Sequence, residues 1–393
     1  MAILFWLAIG IVCYAFVGYG VVLYLLVKLK RALVSPYPIS NASSVYPTVT
    51  LLVAAYNEAD IIGAKIANTL DLDYPEERLQ LIFITDGSDD DTPAIVGGYS
   101  GITLLHQAER RGKMAAIKRA MNHVQGEITI FTDGNTFLNP EAIKQLVKHY
   151  QNPKVGAVAG EKRIKVDRTA DASAAGEGFY WKYESKLKQL DYAFYSNVGA
   201  AGELFSIRTA LYPPVETDTI IDDHMIAMRI AEKGFIIAYE PAAYAMETAS
   251  ENTSEELKRK IRIAAGGLQS ILRLPKAANP FFYPLLTFQY ISHRVLRWTI
   301  VPFLLPLIFI LNVVMVAEGT GTVYVILFAM QLLFYGMAVI GWLLEGRQLR
   351  IKLFFIPYYF CLMNYAVIAG IFRYLRGNQA AAWEKSKRKT ELR

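Results

Sequence analysis

Four stretches without a charged side chain, at 3–27, 298–317, 322–344 and 353–372, constrain this chain more than anything else in it. Each has at least about 20 residues, enough for a helix to cross the roughly 30 Å hydrocarbon core of a bilayer. With 53% hydrophobic and 19% charged residues in a chain of 393, there is room for one large domain beside these segments. The first stretch lacks a positive start, is too long for a signal-peptide core and has no small-residue cleavage pattern before Lys28, Lys30 and Arg31. It reads as a retained anchor, 1–30. By the positive-inside rule, the positive charge behind it puts Met1 outside and the next domain in the cytoplasm. The expected location is the inner (plasma) membrane, crossed several times.

One conflict arises at the other end. The loop at 345–352 is basic, and so is the tail carrying Arg373, Arg376, Lys385, Lys387, Arg388, Lys389 and Arg393. A true span between them puts one of the two outside. Pro357, Asn364, Tyr358, Tyr359 and Tyr365 weaken the 353–372 stretch as a simple span and leave a re-entrant or interfacial path open. Cys13 and Cys361 both lie in apolar stretches, so no disulfide framework is indicated. The net charge of +6 is modest and gathers near the apolar stretches, which favours membrane lipid over nucleic acid as a partner. Protein partners are not indicated.

A Pro/Ser-rich linker, 35–47, leads into a domain at 46–250. There, β-branched apolar runs at 49–55, 81–85, 102–105, 128–132 and 155–159 alternate with helical patterns at 60–70, 113–124 and 140–150. Such alternation predicts an α/β fold with a mostly parallel, Rossmann-like sheet covered on both faces, where ligands bind beyond the carboxyl ends of the strands. Helices at 176–190 and 222–233 and a strand at 235–239 follow. An amphipathic interfacial region, 253–295, opens with Thr253 and Glu256 at capping-box spacing. Leu257, Ile261, Ala264 and Leu268 keep helical period there, and Lys258, Arg259, Lys260, Arg262 and Arg273 make the helix basic, as suits a membrane surface. C-terminal membrane segments, 298–375, and a basic tail, 376–393, complete the chain.

Chemistry-bearing residues sit where strands end. Thr-Asp-Gly occurs twice, as "ITDGSDD" around Asp86 and "FTDGNTF" around Asp133. In "VAAYNEAD" (53–60), Tyr56 can stack on a base and Glu58 can accept from a base edge or ribose; an ordinary Asn-Glu helix start is the alternative. Asp86 falls at the rim of the sheet, whereas Asp89, Asp90 and Asp91 read as an Asx-rich turn. Lys113 opens a helix after a glycine, a place suited to phosphate, or is simply a surface lysine. Asp133 can offer oxygen to a hard Mg²⁺ or Mn²⁺ ion over a diphosphate, with Asn135 as a neutral and poorer second ligand. Asp222 and Asp223 begin a helix, one as a cap and the other as a candidate general base. His224 has no histidine partner at metal-ligand spacing.

In order and spacing these pieces resemble the membrane-embedded family 2 glycosyltransferases, relatives of cellulose, hyaluronan and poly-N-acetylglucosamine synthases. The resemblance covers most of the chain. It implies a GT-A domain that binds a nucleotide sugar, usually a UDP-sugar, with Ala54, Tyr56, Glu58, Asp86 and Lys113 on the donor. It also implies a metal at Asp133 and Asn135, Asp223 as the base, and "GAAGELFSIR" (199–208) along the acceptor site, hence Gly199, Gly202 and Phe205. Processive members carry Gln-x-x-Arg-Trp after the base; here "RKIRI" (259–263) keeps Arg262 but has Arg259 for Gln and Ile263 for Trp. Arg259 and Arg262, at i and i+3, can still reach a diphosphate from one helix face.

The implied reaction is inverting transfer to a glycan or lipid-linked acceptor in polysaccharide synthesis. Non-processive loading of a polyprenyl phosphate or glycolipid is the alternative, and a nucleotide-binding export component is the alternative of another class. No acidic residue lies inside the four stretches, which disfavours the last.

Overall fold

The computed structural model describes residues 1–33, 46–165, 172–248, 253–347 and 351–377, with backbone alone at 165 and 172–181. Most of the expected linker, part of the 345–352 loop and the tail beyond residue 377 lie outside these residues.

The described residues form one eight-stranded sheet: β1 (Val49–Ala55), β2 (Leu79–Asp86), β3 (Thr103–Gln107), β4 (Ile128–Asp133), β5 (Thr136–Leu138), β6 (Val155–Lys165), β7 (Phe205–Arg208) and β8 (Ile236–Thr248). The order is β3-β2-β1-β4-β7-β6-β8-β5. The β1–β2, β1–β4, β2–β3 and β6–β8 pairs are parallel. The β4–β7, β6–β7 and β5–β8 pairs are antiparallel. β1 is buried along its whole length because both faces are covered. Val49, Leu51 and Val53 join a core with Ile62 and Ile66 of α2 (Ile62–Leu70) and Ile143 of α5 (Ala142–Val147). Leu52 joins the opposite core with Met114 and Ile117 of α4 (Lys113–Met121) and Ile226 and Ile230 of α7 (Asp222–Ala231). Helix α3 (Thr92–Gly97) follows β2, and α6 (Ala172–Phe194) follows β6.

Helix α8 (Thr253–Arg273) differs from the plain amphipathic helix expected. Its most buried stretch is Ala264, Ala265, Gly266 and Gly267, and these small residues let it lie between the α/β domain and the last helix. The Thr253 hydroxyl donates to Glu345 of another helix, and Glu256 pairs along its own helix with Arg259 and Lys260.

The apolar stretches become α1 (Ala2–Leu33), with a π turn at Tyr14–Gly18, α10 (Val301–Ala317), α11 (Thr322–Glu345) and α12 (Lys352–Leu375). By length and composition α1, α11 and α12 can cross a membrane. Helix α9 (Pro284–Trp298) meets α10 at a bend of 59°, making a broken span or a re-entrant pair. The 353–372 stretch is one continuous helix: Pro357 falls in its second turn, and Asn364 turns its amide back to the Phe360 carbonyl at 2.8 Å.

Candidate active site

Parallel pairing carries both Thr-Asp-Gly acids to one rim. Ala55 is in register with Thr85, and Ala54 with Asp133, so β1 ends between the two acids. Asp86 Oδ2 accepts the backbone N–H groups of Arg111 (2.9 Å) and Gly112 (2.7 Å), which fixes the start of α4; Asp86 Oδ1 has no hydrogen-bond partner. A pocket opens here between Ala54, Tyr56, Asp86, Arg110, Gly112 and Lys113. The Arg110 guanidinium lies over the Tyr56 ring at 3.8 Å and donates to its hydroxyl at 3.1 Å. Any base that stacks on Tyr56 must share or displace that cation.

The aspartates after the first Thr-Asp-Gly are structural. Asp90 accepts from the backbone of Thr92 and Ala59, and Asp89 pairs with Asn57. Asn57 adopts a left-handed φ of 52°, which these bonds support. Glu58 faces the second Thr-Asp-Gly instead of the base pocket: its Oε1 accepts from the Asn135 amide at 3.2 Å. That leaves the Asn135 Oδ1 atom buried without a partner beside Asp133.

Lys113 joins the halves of the site. Its Nζ donates to Asp133 Oδ1 at 2.8 Å and lies 3.4 Å from Asp222 Oδ2. Burial works against this ammonium, but Asp133, Asp222 and Asp223 outweigh it and hold its pKa above the usual lysine range. Asp223 starts α7 beside Asp222; burial first, then the Asp222 charge, pushes its carboxyl up to about 7. Gly202 separates the two groups: a Cβ there would lie 3.4 Å from Lys113 Nζ and 3.7 Å from Asp223 Oδ2. Gly199 has a φ of 130° and packs against His224, whose ring sits between Tyr290 and Trp298. Burial pushes the His224 pKa down to about 3, so the imidazole is neutral.

Two expected residues are placed elsewhere. Phe205 is 1% exposed and stacks on Phe131 at 4.6 Å, because it belongs to β7; it faces the core, away from any acceptor. Arg259 pairs with Glu247 at 3.5 Å and Glu256 at 3.4 Å, in a cluster with Lys162 and Glu203. Arg262, from the same helix, bonds the Ile220 carbonyl at 3.2 Å and feels the charges of Asp222, Asp223 and Asp133. One arginine of the pair therefore faces the acids. Glu203 is a site residue that sequence reading passed over: it sits beside Gly202, its carbonyl accepts from Thr132, and its charge acts on Asp133 and Asp223. The signal was available, since it is the lone acid in the glycine-rich segment.

Among the described residues no three acids, histidines or cysteines gather as a metal cage. A divalent ion nevertheless fits at Asp133, next to the orphaned Asn135 Oδ1 and the Asp222 Oδ2 that otherwise lacks a hydrogen-bond partner. Further ligands would have to come from outside these side chains, as water or bound oxygen ligands.

Residues 47–266, more than half of the chain, match the profile of a family described as glycosyltransferase like family 2. The chain belongs to that family. It is 26% identical over 236 residues to poly-beta-1,6-N-acetyl-D-glucosamine synthase of Staphylococcus aureus (strain MSSA476), covering 57% of this chain and 56% of that protein. The synthase of Staphylococcus epidermidis is 25% identical over 236 residues. The chain thus spans about half the length of the curated relatives it matches. A solved mannosyltransferase from Pyrobaculum calidifontis, in complex with GDP-Man and Mn²⁺, superposes with a TM-score of 0.72 over 96% of this chain and 100% of that one, at 24% identity. It shares the GT-A fold. The protein is a family 2 glycosyltransferase related to polysaccharide synthases.

Proposed function

We propose that this glycosyltransferase moves a sugar from a UDP-sugar to a hydroxyl of a glycan or lipid-linked acceptor, with inversion, at the cytoplasmic face of the inner membrane. The observation that carries the reading is the placement of Asp223, with its raised pKa, across Gly202 from the Lys113–Asp133 pair. Asp223 takes the acceptor hydroxyl proton as its oxygen bonds to the anomeric carbon. The bond from that carbon to the diphosphate breaks on the far side, and the nucleoside diphosphate leaves with the electron pair. Lys113 and Arg262 steady the departing charge from two sides. Asp133 and Asn135 would hold a divalent ion, whose charge would help stabilise the same diphosphate. Asp86 and Tyr56 orient the nucleoside.

Purified protein given labelled UDP- and GDP-sugars with acceptor tests this reading. Asp223→Asn that releases nucleoside diphosphate at the wild-type rate would show that the base is misassigned. Product size bears on a second reading, transfer of one sugar to a membrane lipid. One observation favours it: Ile263 stands where processive members have an aromatic.

A further inference from the structure

A π turn at Ile291–Val295 interrupts α9 and presents side chains in two directions. On one side, His293 is fully buried between two acids of α6: its Nδ1 meets Asp191 at 2.5 Å and its Nε2 meets Glu184 at 3.1 Å. Tyr19 of α1 donates to the same Asp191, and Ser292 lies 2.8 Å from the Tyr14 hydroxyl, in the π turn of α1. Arg294 and Arg297 pair with Glu184 at 3.0 and 3.4 Å. Burial works against the Glu184 carboxylate, but His293, Arg294 and Arg297 outweigh it and hold its pKa well below the usual range. Breaking any one of these buried pairs would leave a charge uncompensated, so the turn is pinned to α1 and α6.

On the other side, the same helix holds His224 of α7. Tyr290, just before the turn, stacks on the His224 ring at 6.0 Å, and Trp298, just after it, meets that ring edge-on at 5.3 Å. The π turn makes this possible. In an unbroken α-helix, residues eight apart point about 80° away from each other. A π turn absorbs one residue, so Tyr290 and Trp298 are related as though seven apart, on one face and about 10.5 Å along the axis. That spacing admits one ring between two.

The slot is closed elsewhere too. Arg294 lies over the Trp298 ring at 5.4 Å, and a Cβ on Gly267 of α8 would come within 2.7 Å of that ring. A Cβ on Gly199 would lie 2.5 Å from His224 Nδ1, and His224 Nε2 is buried with no hydrogen-bond partner among the described residues. Close packing therefore holds the imidazole. The residue before it in α7 is Asp223.

We propose that Tyr290 and Trp298 are positioning residues for the base: by clasping His224 they fix the first turn of α7, and the π turn ties the place of Asp223 to α1 and α6. Segments outside the sheet thus take part in setting the geometry of transfer.

This rests on Asp223 as the base, and the test keeps the two apart. Trp298→Leu opens one wall of the slot, Tyr290→Leu opens the other, and Trp298→Phe keeps an aromatic wall. The full-length variants are compared by kcat and KM with the UDP- or GDP-sugar that supports wild-type turnover. They are also compared by spectra of chains labelled with ¹³C at histidine Cε1, where five histidines give five signals. His224, between two rings, should give the signal most displaced by ring currents. Each leucine variant should lose roughly 10²-fold in kcat, as a shift of about 1 Å in a reacting group causes, with donor KM unchanged and the His224 signal moved. Trp298→Phe should recover most of both. Wild-type kcat in both leucine variants, beside an inactive Asp223→Asn, would overturn the clasp and leave the base standing. A loss of kcat with the His224 signal unmoved would also overturn it, because Trp298 would then act through Gly267 and α8. Asp223→Asn at the wild-type rate would overturn the base, and the proposal with it.

Discussion

Lys113 Nζ stands 2.8 Å from Asp133 and 3.4 Å from Asp222, so one ammonium links the acid that ends β4 to the acid that opens α7. It also lowers the Asp223 pKa through space. Lys113→Met should therefore do two things. It should cut kcat/KM for the donor by roughly 10²–10³-fold, as loss of a preorganised charge does. It should also move the acidic limb of the pH–rate profile to higher pH, because Asp223 keeps its acidic neighbour but loses the cation. Lys113→Arg should restore part of both. An unmoved limb would mean that Lys113 acts on the donor alone.

Asp223 sets the wild-type profile. With its carboxyl at about 7, the base form is scarce at pH 6 and dominant at pH 8, so transfer should rise through neutrality and level off above it. Asp223→Asn should abolish that limb and slow transfer by roughly 10²–10⁴-fold. Stability should move the other way. The folded pKa exceeds the ordinary 3.8, so folding favours the protonated form and the wild type loses stability as pH rises from about 4 to about 7. At pH 8 the asparagine variant should be more stable, by on the order of 2 kcal/mol, in chemical denaturation.

The sequence made the parallel half of the sheet legible because β1, β2 and β4 are buried on both faces and read as unbroken apolar runs. The antiparallel strands were harder to see. β5 is three residues long and starts just past the Asp133 turn, and β7 lies in a segment whose glycines point to a loop. Phe205, which the family resemblance places along the acceptor, stacks on Phe131 because it belongs to β7. Strand ends and a helix start mark out Asp86, Asp133 and the Asp222–Asp223 pair by local signatures, while the choice of Asp223 within the pair comes from the family resemblance. The link from Lys113 to two acids and the pairing of Arg259 with Glu247 depend on contacts between distant segments, which no local pattern encodes.

Gly199 and Gly202 should respond differently to the same substitution. At Gly199 the backbone is left-handed and a Cβ would lie 2.5 Å from His224 Nδ1. Gly199→Ala should cost about 2 kcal/mol or more and lower Tm. At Gly202 a Cβ meets its nearest neighbours at 3.4 and 3.7 Å, ordinary contact distances. Gly202→Ala should melt close to wild type but raise the acceptor KM, because the methyl enters the gap between Lys113 and Asp223. Equal melting losses in both variants would contradict this division.

Asn135 makes metal binding depend on the donor. Its amide nitrogen is committed to Glu58, its oxygen is neutral, and the Asp133 carboxylate is held by Lys113, so the protein alone offers a divalent ion little charge. Mn²⁺ titrated by electron paramagnetic resonance should bind weakly to the free protein and roughly 5–150-fold more tightly once UDP is present, a coupling that must be reciprocal. Asn135→Asp adds a carboxylate beside Glu58, where the two acids repel each other unless a cation sits between them. That variant should bind Mn²⁺ more tightly without nucleotide and show a smaller gain from UDP. Equal affinity with and without UDP in the wild type would place the ion's main ligands on the protein and remove Asn135 from the explanation.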